Sequence, residues 1–146
     1  MIDAGRDYAG LVTRAVAFAI DVALVDLAAA IVAIVVGLGI SAFDVPDVVH
    51  TLAVIVGGVA FFVWWVAYFA FFWSTTGQTP GARVMGIRVV CEGGEVVRLG
   101  SAFMRLVGMA LAALPFFLGF LMILVERRRR GLQDVIARTL VVYVPS

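Results

Sequence analysis

Three long apolar blocks constrain the fold of this chain more than any other feature. They run over Ala15–Ile40, Thr51–Trp73 and Leu106–Val125, with 26, 23 and 20 residues respectively. A helix of about 20 apolar residues crosses a hydrocarbon core roughly 30 Å thick. Hydrophobic residues form 64% of the 146-residue chain, against roughly 45–50% in a soluble domain. The sequence therefore predicts an all-α integral membrane protein made of a single membrane domain over residues 1–146.

The first two blocks are predicted to be full transmembrane helices, whereas the third is interrupted by Pro115 and Gly119. Both residue types weaken the interior of a helix. One interpretation is a broken or re-entrant helical segment bent near residues 114–119, because irregular backbone is tolerated at membrane depth where protein or water shields it. A plain third span is the alternative.

Charges in the connections predict the orientation. The loop between the first two blocks holds Asp44 and Asp47 and no lysine or arginine, whereas the connection Ser74–Arg105 holds four arginines. Basic residues concentrate in cytoplasmic loops. We therefore expect a multi-pass protein of a bacterial inner (plasma) membrane, with a cytoplasmic N-terminus.

Two short segments rich in β-branched residues are predicted to be strands. They are RVMGIRVV, at Arg83–Val90, and TLVVYV, at Thr139–Val144. Because an isolated strand is unstable, we expect these two to pair in the cytoplasm. This pairing would place both ends of the third block on one side of the membrane, which favours the re-entrant interpretation. The segment Gly77–Gly86 is predicted to be a turn that leads into the first strand.

Two carboxylates, Asp21 and Asp26, are the only charges in the first block. A charge at bilayer depth costs roughly 2.5–3.5 kcal/mol on insertion scales, so such residues usually face a polar partner or a water-filled cavity. Five helical steps turn the two residues about 140° apart, so they cannot share one partner. Asp21 is expected to form a buried ion pair with a basic group such as Arg83 or Arg105. Both aspartates are also candidate proton or ion sites, and a neutral, hydrogen-bonded acid is a further alternative for Asp26.

Three sequence segments resemble the RDD family of small integral membrane proteins. They are RAVAFAID at Arg14–Asp21, TTGQTPGARVMGIRVV at Thr75–Val90, and GLQDVIART around Asp134. The resemblance covers about Leu11 to Val144 and implies that Arg14, Asp21 and Asp134 form a polar framework, of which Asp26 is not part. The chain departs from the family pattern at Ala82, where a basic residue is frequent, and at Gln133, where histidine is frequent. The resemblance implies no settled molecular function; roles in transport, ion exchange and larger complexes have been suggested for members.

Two surface features indicate partners. A basic cluster follows the third block and is expected to contact anionic lipids or a protein partner; it consists of Arg127, Arg128, Arg129 and Arg130. Small residues at helical spacing mark the first two blocks and allow close helix packing, within one chain or between subunits. They are Ala29, Ala33 and Gly37 in the first block, and Ala53 and Gly57 in the second.

The sequence carries no recognisable catalytic set. Its only cysteine is Cys91 and its only histidine is His50, so few nitrogen or sulfur ligands are available to a metal. We expect no enzyme activity, no metal or other cofactor and no nucleic-acid partner. Two function classes remain: an accessory or structural subunit of a larger membrane assembly or homo-oligomer, and an ion- or proton-coupled transporter that uses an intramembrane aspartate.

Overall fold

The structure is a computed structural model, which describes residues 8–43, 46–113, 122–124, 126 and 128–144. Its helices and strands follow one another as α1 (Leu11–Ser41), α2 (Asp47–Thr75), α3 (Pro80–Val84), β1 (Ile87–Cys91), α4 (Leu99–Ala113), α5 (Leu132–Ala137) and β2 (Thr139–Tyr143). Aside from α1 and α2, these elements gather at one end of the molecule, which we call the cap.

Helices α1 and α2 form a long hairpin that leaves the cap and returns to it. They contain the predicted spans 15–40 and 51–73, and both are long and apolar enough to cross a membrane. Away from the cap their surface is apolar and exposed: Leu38 is 66% exposed and Val54 is 76% exposed. A soluble monomer rarely leaves so large an apolar surface open to water. The surface suits a lipid environment instead.

The cap contains the predicted strand pair, and that prediction is confirmed. β1 and β2 are antiparallel, with Val89 opposite Val141. The segment before α1 adds to the free edge of β2, where the Ala9 amide donates to the Val141 carbonyl at 3.0 Å. The segment before α1 and strand β2, which are far apart in sequence, are therefore joined in one small β layer.

The segment before β1 differs from its prediction. Residues 80–84 form the short helix α3, and the strand begins only at Ile87. The reason is local: Thr79 accepts from the Ala82 amide and so caps the helix, while Pro80 occupies the first turn, where its missing N–H costs nothing. The expectation of a plain turn with a strand from Arg83 is wrong here.

One apolar core joins the cap to the near ends of α1 and α2. It is built from Ala9, Ala17, Phe69, Trp73, Ala82, Ile87, Val89, Val97, Ala102 and Val141. Aromatic contacts extend it between the two long helices, where the rings of Phe18 and Phe69 stack with centroids 5.7 Å apart. Apolar burial is therefore concentrated at the cap end.

The third apolar block is only partly described. Its first half belongs to α4, which has 15 residues and at 1.5 Å per residue is shorter than a hydrocarbon core of roughly 30 Å. The predicted bend at 114–119 lies outside the described residues. Beyond it, the chain returns to the cap, because Arg130 pairs with Glu92 at 2.8 Å and a Cβ on Gly108 would lie 2.7 Å from the Gln133 Cα. The described segments on either side of positions 114–121 are thus close together.

Two glycines with positive φ test how tightly the cap is built. Gly77 (φ +70°) has no room for a side chain, since a Cβ would lie 2.5 Å from the Val89 carbonyl oxygen, whereas Gly86 (φ +63°) has nothing within 4 Å. Gly86→Ala should cost about 1–2 kcal/mol of unfolding free energy, the usual left-handed strain. Gly77→Ala should cost a further 1–3 kcal/mol or so for the clash. Thermal unfolding in detergent micelles would measure both, and equal destabilisation would contradict the described approach of β1 to Gly77.

Candidate functional site

A fully buried carboxylate, Asp134, lies at the centre of the cap between two arginines. Asp134 is 0% exposed, and its two oxygens accept from Arg14 and Arg105. The Gly131 amide adds a third donor at 3.1 Å, and the Arg105 guanidinium also donates to Thr139 at 3.0 Å. We call Arg14, Arg105, Asp134 and Thr139 the Asp134 cluster. A buried charge is tolerated only when paired and hydrogen-bonded in this way.

Arg14 connects segments that are far apart in sequence. Besides Asp134, its guanidinium donates to the Ala9 carbonyl at 3.0 Å and to the Arg129 carbonyl at 2.6 Å. The planar guanidinium has five donors in a fixed fork, which suits several acceptors at once. Arg14 thereby holds the start of α1, the segment before it and the segment before α5 together.

Arg105 enters the cluster from α4 and packs on an aromatic ring of α2. Its guanidinium carbon lies 4.9 Å from the Trp73 ring centroid, a cation–π geometry. Its buried Nε has no hydrogen-bond partner among the described residues. The arginine is therefore held by its charge partner and by the ring.

A second buried carboxylate, Asp21, lies between α1, α2 and α3. It is 2% exposed. Tyr68 donates its hydroxyl at 3.0 Å, the Gly81 amide donates at 2.7 Å, and the Thr79 hydroxyl donates to the other oxygen. We call Asp21, Tyr68, Thr79 and Gly81 the Asp21 cluster. All three donors to Asp21 are neutral groups, whereas Asp134 accepts from two arginines.

Gly81 allows the close approach that makes the Asp21 cluster. A Cβ at this position would collide with the Ala17 carbonyl and lie 2.9 Å from the Asp21 carboxyl carbon. Only glycine lets the α3 backbone reach the carboxylate. The connection after α2 is thus fastened to α1 by a charged hydrogen-bond acceptor rather than by an ion pair.

The predicted partners of Asp21 differ from the observed ones. Arg105 pairs with Asp134, and Arg83 is exposed on α3 and is not among the donors to Asp21. Of the framework Arg14, Asp21 and Asp134, the structure brings Arg14 and Asp134 into contact and places Asp21 in a separate cluster. Hydroxyl and amide donors replace the basic group that the sequence suggested.

Asp26 stands apart from both clusters. It is exposed on α1, and no hydrogen bond or ion pair holds it within the described part of the chain. The buried face of α1 carries Ala17, Asp21 and Val25, from which Asp26 is turned by about 100–180°. The two candidate proton or ion sites therefore differ: Asp21 accepts hydrogen bonds from three donors, whereas Asp26 is exposed and accepts none from the described residues.

The basic cluster after the third block is partly occupied by cap contacts. Arg130 pairs with Glu126 and, at 2.8 Å, with Glu92; the hydrogen bonds to Glu126 raise the pKa of Arg130 above its ordinary value. Arg128 and Arg129 are exposed, whereas Arg127 lies outside the described residues. Lipid contact by these arginines stays a prediction.

Two apolar hairpin helices on a small cap with buried arginines and aspartates define the class of this chain as a small helical membrane protein. The sequence profile of the RDD family matches residues 8–138. The chain belongs to the RDD family, which is a family of small membrane proteins.

A curated relative exists but has no assigned activity. The chain is 38% identical over 65 residues to the uncharacterized protein YxaI of Bacillus subtilis (strain 168). The match covers 44% of this chain and 42% of that relative, so the chain spans less than half the length of the relative it matches. No solved structure matches the chain.

Several residues of the two clusters were not found from the sequence. Tyr68 lies within the second apolar block, and Thr79 and Gly81 lie within the segment predicted to be a turn. One signal was present: threonine before proline is a helix-start pattern, and a helix start offers free amides to a carboxylate. The sequence does not indicate that Arg105 is buried, because its position at the end of an arginine-containing connection fits a surface arginine equally well.

Removing the charge of Asp134 should unfold the cap. Asp134→Asn leaves Arg14 and Arg105 buried without a counter-charge, a situation that costs about 3–5 kcal/mol. The matched control is Glu92→Gln, which removes the partly exposed partner of Arg130 and should cost at most about 1 kcal/mol. Unfolding monitored by tryptophan fluorescence in detergent would compare them, and similar stabilities would refute a structural role for Asp134.

Substitutions in the Asp21 cluster should lower the free energy of unfolding in proportion to the number of hydrogen bonds that each one removes. Asp21→Asn replaces one acceptor oxygen by an amide NH2 group, which faces a hydrogen-bond donor. One hydrogen bond to the carboxylate is lost and one donor stays unsatisfied, so the free energy of unfolding should fall by about 2–4 kcal/mol. Tyr68→Phe removes a single donor and should cost about 1–2 kcal/mol. The same unfolding measurement applies. A more damaging Tyr68→Phe would contradict the described geometry.

Proposed function

We propose that the protein is an accessory or structural subunit of a membrane assembly, built either with a larger complex or with further copies of itself. The observation that carries this proposal is the distribution of polar groups. Both buried carboxylates and both buried arginines are consumed in holding the cap to the helices. Among the described residues of the two long helices, what remains is a largely apolar exposed surface and Asp26, an acid without a hydrogen-bond partner there.

An open groove between α1 and α2 supports an assembly role. It has a volume of about 860 Å³ and an almost entirely apolar lining. The small residues of both helices line it: Ala29, Ala33, Gly37, Ala53 and Gly57. A side chain at Gly37 or Gly57 would meet nothing within 4 Å. Gly37 and Gly57 are therefore not used to pack α1 on α2, which leaves them available to another membrane helix.

The transporter alternative has weaker support. Asp21 already accepts from three neutral donors, so binding an ion there would disturb the attachment of α3 to α1. Asp26 supplies the remaining support, as an open carboxyl in a predicted span. Two long helices cannot surround a pathway by themselves, so transport would require several copies.

The proposed placement in the membrane follows from the cap. We propose a cytoplasmic cap with the third block re-entering from the same side. The close approach of Arg130 to Glu92 supports this, as does the exposed face of α4, which is apolar at Leu99, Phe103, Met104, Val107 and Leu111. Such a face suits lipid tails, while α4 turns Arg105 inward. Exposed Arg128 and Arg129 would meet anionic headgroups.

Native purification and liposome flux would separate the two functions. Purified in mild detergent, the protein should be found at a fixed stoichiometry with another membrane protein or with further copies of itself. Liposomes that contain it should show no cation flux driven by a pH gradient. Asp21→Asn and Asp26→Asn serve as flux controls. Flux that disappears in Asp26→Asn would establish transport and contradict the accessory role. A monomer without partners would also contradict it.

A further inference from the structure

We propose that the cap binds one phospholipid with an ethanolamine headgroup, in a cavity between the turn after β1, the start of α4 and the end of α5. The phosphate group would lie between Arg98 and Arg138, and the ammonium group beside Glu95. The inference rests on the proposed placement of the cap at the membrane surface. It uses charged side chains that belong to neither buried cluster.

The cavity is lined by side chains of both charges. It has a volume of about 380 Å³, near the lower end of the roughly 300–1,000 Å³ that ligand pockets occupy. This size suits a headgroup rather than a whole lipid. The lining residues that carry the proposal are Glu92, Glu95, Arg98, Ser101, Met104 and Arg138.

Three charged side chains of the cavity are available to a ligand. Glu92 is occupied, because it pairs with Arg130 at 2.8 Å. Glu95, Arg98 and Arg138 are exposed, and their side chains form no salt bridge or hydrogen bond with any residue that the structure describes. The cavity therefore offers two cations and one anion to a group from outside, which is the charge pattern that a zwitterionic ligand complements.

The cationic part of the cavity suits a phosphate group. Arg98 lies directly before α4 and Arg138 directly after α5, so the two guanidinium groups come from different segments. A guanidinium donates to two phosphate oxygens at once. Ser101 adds a hydroxyl from the first turn of α4, a helix of 15 residues, and the positive end of the helix dipole also favours negative charge there. The arginines supply the main attraction.

The acidic part of the cavity determines which headgroup fits. A primary ammonium group has three N–H donors, and a carboxylate such as that of Glu95 accepts charge-assisted hydrogen bonds from it. The methylated ammonium of a choline headgroup has no N–H to donate. A glycerol headgroup has no positive charge, so its phosphate would bring a net negative charge towards Glu95. Ethanolamine is therefore the headgroup that satisfies both parts.

An exposed apolar stripe of α4 begins at the cavity, and it indicates a lipid rather than a soluble compound. Met104 lines the cavity, and Val107 and Leu111 lie within about 60° of it around the helix. All three are exposed, whereas Arg105 and Gly108 are buried against the cap. The stripe is about 10 Å long at 1.5 Å per residue, against roughly 15 Å for half of a hydrocarbon core. An acyl chain would cover it.

Lipid competition on the full chain tests the headgroup. The protein in mild detergent would receive equal amounts of phosphatidylethanolamine, phosphatidylcholine and phosphatidylglycerol with the same acyl chains, and native mass spectrometry would count the lipids retained. We expect one phosphatidylethanolamine molecule, retained about fivefold or more above either other lipid, a ratio typical of one or two hydrogen bonds. Equal retention of the three lipids, or a preference for phosphatidylglycerol, would overturn the proposal.

Substitutions assign the two parts of the cavity. Glu95→Gln should reduce phosphatidylethanolamine to the level of phosphatidylcholine, whereas Arg98→Gln combined with Arg138→Gln should reduce retention of all three lipids. Arg83→Gln is the matched control, because it removes an exposed cap arginine that does not line the cavity. Thermal unfolding of each variant should match the native protein, since all four side chains are exposed. Unchanged selectivity in Glu95→Gln, or an equal loss in Arg83→Gln, would contradict the proposed site.

Free phosphoethanolamine distinguishes the source of the headgroup. Because only a lipid covers the stripe on α4, a tenfold excess of the soluble compound should leave most of the bound lipid in place. Displacement at equal concentrations would show a soluble ligand and overturn the lipid assignment. Absence of any lipid selectivity would overturn this inference and leave the accessory role intact. A monomer without protein partners that retains phosphatidylethanolamine would overturn the accessory role and support this inference.

Discussion

The rest of the structure depends on the burial of one carboxylate, Asp134, between two arginines. A carboxylate removed from water is tolerated only with opposite charge and full hydrogen bonding. Arg14 comes from the start of α1 and Arg105 from α4, while α5 supplies the acid itself. Satisfying one charge thus fixes the positions of three segments separated by up to 120 residues in the chain. The strand pair and the apolar core close around that arrangement.

Asp21 imposes a second constraint of a different kind. Its oxygens collect two hydroxyls and a backbone amide rather than a cation. A hydrogen bond to a charged acceptor is roughly twice as strong as a neutral one, so three of them hold the turn after α2 firmly against α1. Gly81 is the geometric condition, because any side chain there would displace α3. The two aspartates that match the family pattern, Asp21 and Asp134, therefore attach different segments at the cap end of the hairpin.

The sequence predicts the membrane helices and the strand pair well, because each depends on local composition. Block length determines the spans, and β-branched runs at Val89 and Val141 determine the strands. Charge pairing is less predictable. Arg14 and Asp134 were grouped through a family resemblance, not through spacing, since residues so far apart carry no periodic signal. The donors to Asp21 were not predicted, because a tyrosine in an apolar block and a threonine in a predicted turn carry no signal that they meet a carboxylate.

The cap and the exposed part of the long helices differ in how their acids are hydrogen-bonded, and Asp26 belongs to the exposed part. At the cap, every described buried carboxylate accepts hydrogen bonds from within the chain. Along α1, Asp26 lies on an exposed face of small residues beside an unfilled groove. A fold that pairs Asp134 with two arginines and surrounds Asp21 with three donors leaves Asp26 as its one unsatisfied intramembrane acid among the described residues. Because hydrocarbon cannot supply the missing hydrogen bond, an acid at this position is costly in a bilayer unless a polar group reaches it.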